Sequence, residues 1–300
     1  MAFNWKTFQT RALTAIIFAV VMLTGLLWNK WSFLVLFSII HFGCWWEYLK
    51  LSERIFNISI DRTIKYFFCL CGYLLMLTIG FSNYSYDFII NETVSLNWIL
   101  LFITICLSVF LFQNKKIPTN VKWFLFKGFF YISVSWGLMI LLRHSFGIAE
   151  ISVTYHHPPE WYAIVGPCII VFSIWICDTM AYIVGSLIGK TPLSKISPKK
   201  TWEGTVGGIL LSLIVIGFIA SRYDFDTKQV IIISGIASVV GTFGDLLESK
   251  LKRMAGVKDS GSIMPGHGGF LDRFDSLLLA TPAVCLYVFL LQRFLYFLAS

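Results

Sequence analysis

The residues best suited to chemistry lie between Gly244 and Ser276. Asp245 and Glu248 stand three apart, and so do Asp272 and Asp275, so each pair falls on one face of a helix. Carboxylates converging from two helix ends offer hard oxygen donors for a cation such as magnesium, which also bridges to substrate phosphates. The structural alternative is salt bridging with Lys252, Arg253 and Arg273, and each description can hold for different members. The intervening loop carries Lys258, Asp259, Pro265 and His267, and Gly266, Gly268 and Gly269 flank the histidine. Such glycines let backbone approach a ligand closely.

A second polar string, Ser197-Pro-Lys-Lys-Thr-Trp-Glu-Gly204, precedes an apolar run. Pro198 redirects the chain, and Lys199 with Lys200 presents two ammonium groups. Thr201 and Gly204 lead into a helix N-terminus, whose free N–H groups favour an anion such as a triphosphate. The plainer alternative is that these lysines only anchor the topology. Gly185 to Thr191 is similar to a phosphate loop but has three residues between its glycines where that loop needs four, and no strand precedes it. Asp178 lies inside an apolar run, in Trp175-Ile-Cys-Asp-Thr-Met-Ala-Tyr182. A carboxylate at membrane depth points to function, with a helix–helix hydrogen bond as the alternative.

The elements that must position these groups are apolar helices. The chain is 57% hydrophobic and 13% charged, with a mean hydropathy of +0.76, which excludes an ordinary soluble domain. Nine apolar runs span roughly 11–28, 31–49, 64–81, 97–113, 123–142, 162–188, 204–220, 229–247 and 277–298. They predict an all-α, polytopic membrane protein of about nine transmembrane helices. The run 162–188 is long enough to tilt or to break near Gly166-Pro167. Residues 1–150 form an N-terminal group of helices. Residues 151–300 form a catalytic region with polar loops 189–203 and 248–276. The seven cysteines form no CxxC pair and read as small core residues. The N-terminus is not expected to be a cleaved signal, because its apolar run can span and no cleavage site follows.

Alternate connections differ sharply in charge, with eighteen Lys and Arg on one side and four on the other. The positive-inside rule then places the N-terminus and both polar loops in the cytoplasm, where nucleotides and magnesium are available, and the C-terminus outside. The net charge of +8 lies mostly on that face, toward anionic membrane lipids. No nucleic-acid partner is expected.

Ser249-Lys-Leu-Lys-Arg253, Lys258-Asp259 and Pro265-Gly-His-Gly-Gly-Phe-Leu-Asp-Arg-Phe-Asp275 resemble the signature of the phosphatidate cytidylyltransferases, the CDP-diacylglycerol synthases. Asp178-Thr-Met-Ala-Tyr182, Gly189-Lys-Thr-Pro-Leu193 and Ser197 to Gly204 are similar to further motifs of that family. Ser186 stands where many members carry Arg, and Met264 where Leu, Ile or Phe is usual. The resemblance covers about 178–275; the first five runs match in hydropathy only. It implies a multi-pass enzyme of the bacterial inner membrane, forming a homodimer and joining CTP to phosphatidate with Mg2+, and it allows a second, monovalent cation such as K+. By position, Asp245 and Asp272 would hold the metal. Lys199 or Lys200 would face phosphate, and Asp178 would line the same pocket. Lys252, Arg253, Lys258, His267, Arg273 and Ser197 are the substrate-contact candidates. Two competing functions remain at this point. One is another membrane phosphoryl-transfer enzyme, either a polyprenyl-phosphate sugar-1-phosphate transferase or an alcohol phosphotransferase acting on CDP-diacylglycerol, of which the latter needs a DxxDGxxAR-type motif that is absent. The other is a secondary transporter coupled through Asp178, although the polar residues gather at one membrane face.

Overall fold

The computed structural model describes residues 5–82, 101–105, 109, 113, 117–145, 159–223, 225–262 and 268–299. They form helices α1 (Trp5–Leu27), α2 (Lys30–Phe56), α3 (Arg62–Gly80) and α4 (Thr119–Gly128). A π-helical turn (Phe129–Val134) continues α4 into α5 (Ser135–Ser145). Then come α6 (Pro159–Ile188), α7 (Trp202–Ala220), α8 (Thr227–Met254) and α9 (Leu271–Ala299). No strand is present among the described residues. The protein is thus all-helical, and among the described residues seven segments are long and apolar enough to cross a membrane: α2, α3, Thr119–Arg143, Ala163–Ile188, α7, α8 and Leu271–Leu291. The first apolar run corresponds to the shorter apolar stretch Leu13–Leu27 of α1. Most of the run 97–113 lies outside the described residues. Pro167 does not break its run: α6 continues through it as one helix.

Helix ends follow local chemistry. Asn29 caps α2, its Oδ1 accepting from the N–H groups of Trp31 and Ser32 at 2.9 and 2.8 Å, while the Asn29 N–H donates to Ser32 Oγ. Asn57 ends α2 in the left-handed region at φ 50°, which Asn tolerates better than most side chains. Thr201 caps α7 by accepting from the Gly204 N–H at 3.2 Å.

The chain forms two compact units that interleave in sequence. The first takes in Met1–Thr78, Ser85–Trp136 and Leu251–Phe274. Its core is aromatic: Trp45 packs on Phe129 with ring centroids 4.9 Å apart, Phe37 on Trp136 at 5.1 Å, and Trp136 on Phe274 at 5.8 Å. Trp45 is wholly buried and donates to Ser133 Oγ at 2.8 Å, so its one polar atom is satisfied inside the core. Gly72 makes room for this contact, because a Cβ there would sit 2.5 Å from Trp45 Nε1.

The second unit takes in Ile79–Tyr84, Gly137–Lys250 and Asp275–Ser300. Here α6 and α7 pack through small residues. A Cβ on Gly208 would lie 2.6 Å from the Cys177 carbonyl oxygen, and one on Gly204 would lie 2.7 Å from that of Ala181. Such close backbone approach is how helices associate where lipid supplies no hydrophobic drive. The sequence division at residue 150 follows chain order, whereas these units follow packing: segment 251–274 belongs with the N-terminal helices.

Candidate active site

In the second unit, the i, i+3 spacing of α8 puts Asp245 and Glu248 on one face, and α9 supplies Asp275. Carboxylate oxygens of these three residues lie within 4.8 Å of one another, Asp245 half-buried and the other two buried. Gly244 allows this approach, since a Cβ there would meet the Asp275 carbonyl oxygen at 2.5 Å. Asp275 Oδ1 accepts from the Ser276 N–H at 2.6 Å. Three like charges this close are mutually repulsive, and burial removes the water that would screen them. An all-oxygen donor set of this kind fits a hard divalent cation and would suit zinc or copper poorly.

The basic string supplies the facing charge. Residues 189–202 fold back on themselves: Leu193 N donates to Lys200 O at 2.7 Å, and Trp202 N to Thr191 O at 2.9 Å. Ser197 turns the loop, its carbonyl accepting from Lys200 N and its N–H donating to Ser194 Oγ. Glu203 closes the other end by accepting from the backbone N–H groups of Lys190 at 3.1 Å and Thr191 at 3.2 Å. The result aims Lys200 at Asp245, with which it forms an ion pair, while Lys199 stays exposed. Asp178, on the exposed side of α6, is within electrostatic reach of both Lys200 and Asp275. Asp178, Lys200 and Asp245, all singled out on the sequence, thus come together in one unit, joined by Glu248 and Asp275.

Asp272 sits in the first unit, in different company. Its Oδ1 accepts from Lys252 Nζ at 2.6 Å, and its Oδ2 accepts from the N–H groups of Ser260 and Gly269, each at 2.8 Å. The expected metal pair was Asp245 with Asp272; the carboxylates that cluster among the described residues are Asp245, Glu248 and Asp275. Arg253 donates to the Val257 carbonyl at 3.1 Å, and Lys258 and Arg273 are exposed. His267 lies outside the described residues.

One carboxylate escaped the sequence reading altogether. Glu47 of α2 is buried and accepts from Ser260 Oγ at 2.6 Å and from the N–H groups of Phe270 and Leu271 at 3.0 and 2.9 Å. An acidic residue inside a long apolar run was the available signal.

A model of the cytidylyltransferase family matches residues 9–291. A phosphatidate cytidylyltransferase of Bacillus subtilis is 31% identical over 295 residues, covering 97% of each chain. Phosphatidate cytidylyltransferases of Staphylococcus saprophyticus and Staphylococcus haemolyticus are 52% and 49% identical over 112 residues. Those two matches take in 36% of this chain and 43% of the relative's length. With its many apolar helices and these bacterial relatives, the chain is a multi-pass membrane protein of bacterial type. Matched along nearly its whole length, it belongs to the cytidylyltransferase family.

Proposed function

We propose that this protein transfers the cytidylyl group of CTP to phosphatidate, releasing CDP-diacylglycerol and pyrophosphate. The observation that carries this reading is the cluster of half-buried Asp245 with buried Glu248 and Asp275, with Lys200 paired to Asp245, within a chain of the cytidylyltransferase family. The names of the relatives support the choice of phosphatidate as acceptor.

In this reaction a phosphate oxygen of phosphatidate attacks the α-phosphorus of CTP. The bond from that phosphorus to the β-phosphate oxygen breaks, and the electron pair leaves on pyrophosphate. The attacking oxygen is already an anion at neutral pH, so the protein needs no strong general base. Its work is to hold two anions together and to offset the charge of the leaving group. Lys200, held by the 189–202 turn, and the exposed Lys199 meet the phosphates. Asp178 lines the pocket. Ser197, in the same basic string, is a further substrate-contact candidate, and in the other unit Lys252, oriented by Asp272, is one by its place in the family signature, as are Arg253, Lys258, His267 and Arg273. Asp245, Glu248 and Asp275 would hold Mg2+, and the family resemblance allows a monovalent cation such as K+ as well. Such a divalent ion would offset the negative charge of the phosphates.

The positive-inside asymmetry supports an active site facing the cytoplasm from the inner membrane, where CTP arrives from water and phosphatidate from the bilayer. We propose a homodimer as the working form. The test is direct: purified protein in lipid nanodiscs is given radiolabelled CTP, phosphatidate and Mg2+. Label appearing in CDP-diacylglycerol with stoichiometric pyrophosphate is the expected result. Label passing to another lipid phosphate, or no transfer, would reject the acceptor or the reaction.

A further inference from the structure

Glu47 is 2% exposed in a membrane-spanning helix, a costly place for a carboxylate unless donors surround it. The donors come from segments more than two hundred residues further along the chain. Oε1 accepts from Phe270 N, and Oε2 accepts from Leu271 N and the Ser260 hydroxyl. One turn earlier on α2, Gly43 leaves the space that the Phe270 ring occupies. Gly261 and Gly269 close over the carboxylate itself, because a Cβ on either would collide with it. A glutamine of the same shape could not serve at both oxygens: its amide nitrogen is a donor and would face an N–H.

The contact does not stop at Glu47. Ser260 Oγ also lies 2.9 Å from Asp272 Oδ2, so one hydroxyl is shared between two carboxylates. Asp272 in turn fixes the Lys252 ammonium at 2.6 Å. We infer that Glu47 is a positioning residue for the transfer reaction: through Ser260 and Asp272 it sets Lys252 and the start of α9. This rests on the transferase reading above. Glu47 touches no reacting group; it fixes the segment that does.

The test uses the full-length protein in nanodiscs, comparing Glu47→Gln, Ser260→Ala and the double variant with the unaltered chain. For Glu47→Gln, kcat should fall about 10- to 100-fold while KM for CTP changes less than about threefold, the pattern of misplaced groups in the transition state. Ser260→Ala removes one arm and should fold normally, with kcat lowered about three- to tenfold. The double variant should be no worse than Glu47→Gln alone, because both act through one network. Hydrogen exchange should quicken in peptides covering 259–262 and 268–274 and stay unchanged in 189–203. Unchanged kcat in Ser260→Ala, or independent, multiplying losses in the double variant, would overturn the inference. If the unaltered protein transferred no cytidylyl group, the transferase reading would fall, and the exchange result would still decide whether Glu47 holds the segment.

Discussion

Two acidic pairs with the same i, i+3 spacing behave differently: Asp245 and Glu248 stay together in one unit, whereas Asp272 and Asp275 part into different units. Asp272 is surrounded by donors: an ammonium, two backbone N–H groups and a shared hydroxyl. Asp245, Glu248 and Asp275 gather against one another, with Lys200 paired to Asp245 and the Ser276 N–H on Asp275. A carboxylate met by donors lowers its own energy and holds a loop. Carboxylates met by carboxylates raise each other's energy and are relieved by a cation. The i, i+3 pattern alone does not separate these cases; the neighbours do.

The largest expected effect lies in the clustered set. Asp245→Asn and Asp275→Asn should each lower turnover by about two to four orders of magnitude, several kcal/mol of transition-state stabilisation. Melting scans in detergent give the sharper contrast. Mg2+ should raise the melting temperature of the unaltered protein, and either substitution should remove that rise. Asp272→Asn should instead lower the metal-free melting temperature and keep the magnesium response. If Asp272→Asn also erased the response, the two groupings would share one role, and Asp272 would join the ligands.

The next effect belongs to the lysines. Lys200→Gln should reduce kcat/KM for CTP about 10- to 100-fold, and Lys199→Gln less, since among the described residues it is Lys200 that pairs with Asp245 while Lys199 is exposed. Membrane insertion should survive both, because the charge asymmetry is spread over many connections. Equal, small effects at the two positions would return them to topology anchors.

Packing comes third. Gly208→Ala places a methyl against the Cys177 carbonyl and should destabilise the second unit by about 1–3 kcal/mol, read as a lower unfolding temperature. The smallest effect on turnover is expected at Lys65–Glu53, an ion pair at 2.6 Å away from both sets of carboxylates in sequence. Lys65→Met should leave turnover unchanged, a baseline for acidic contacts without chemistry.

Much of the protein was readable in one dimension. Hydropathy runs mark spanning helices because each must satisfy its backbone within itself, and such helices need a fixed length of apolar residues. The charged motifs were legible for the converse reason: few charges survive in an apolar chain without a partner or a task. The tertiary structure alone decided which carboxylates meet. Asp245 and Asp275 are thirty residues apart along the chain, and nothing in that spacing says their oxygens converge where Gly244 removes a side chain. Glu47 shows the limit most clearly. On the sequence it is one acidic residue in an apolar run; its meaning comes from Ser260, Phe270 and Leu271, which only folding brings to it. Local pattern determines which segments become helices, because backbone hydrogen bonds close within a few residues. Partnership among buried charges is a long-range property, set by packing.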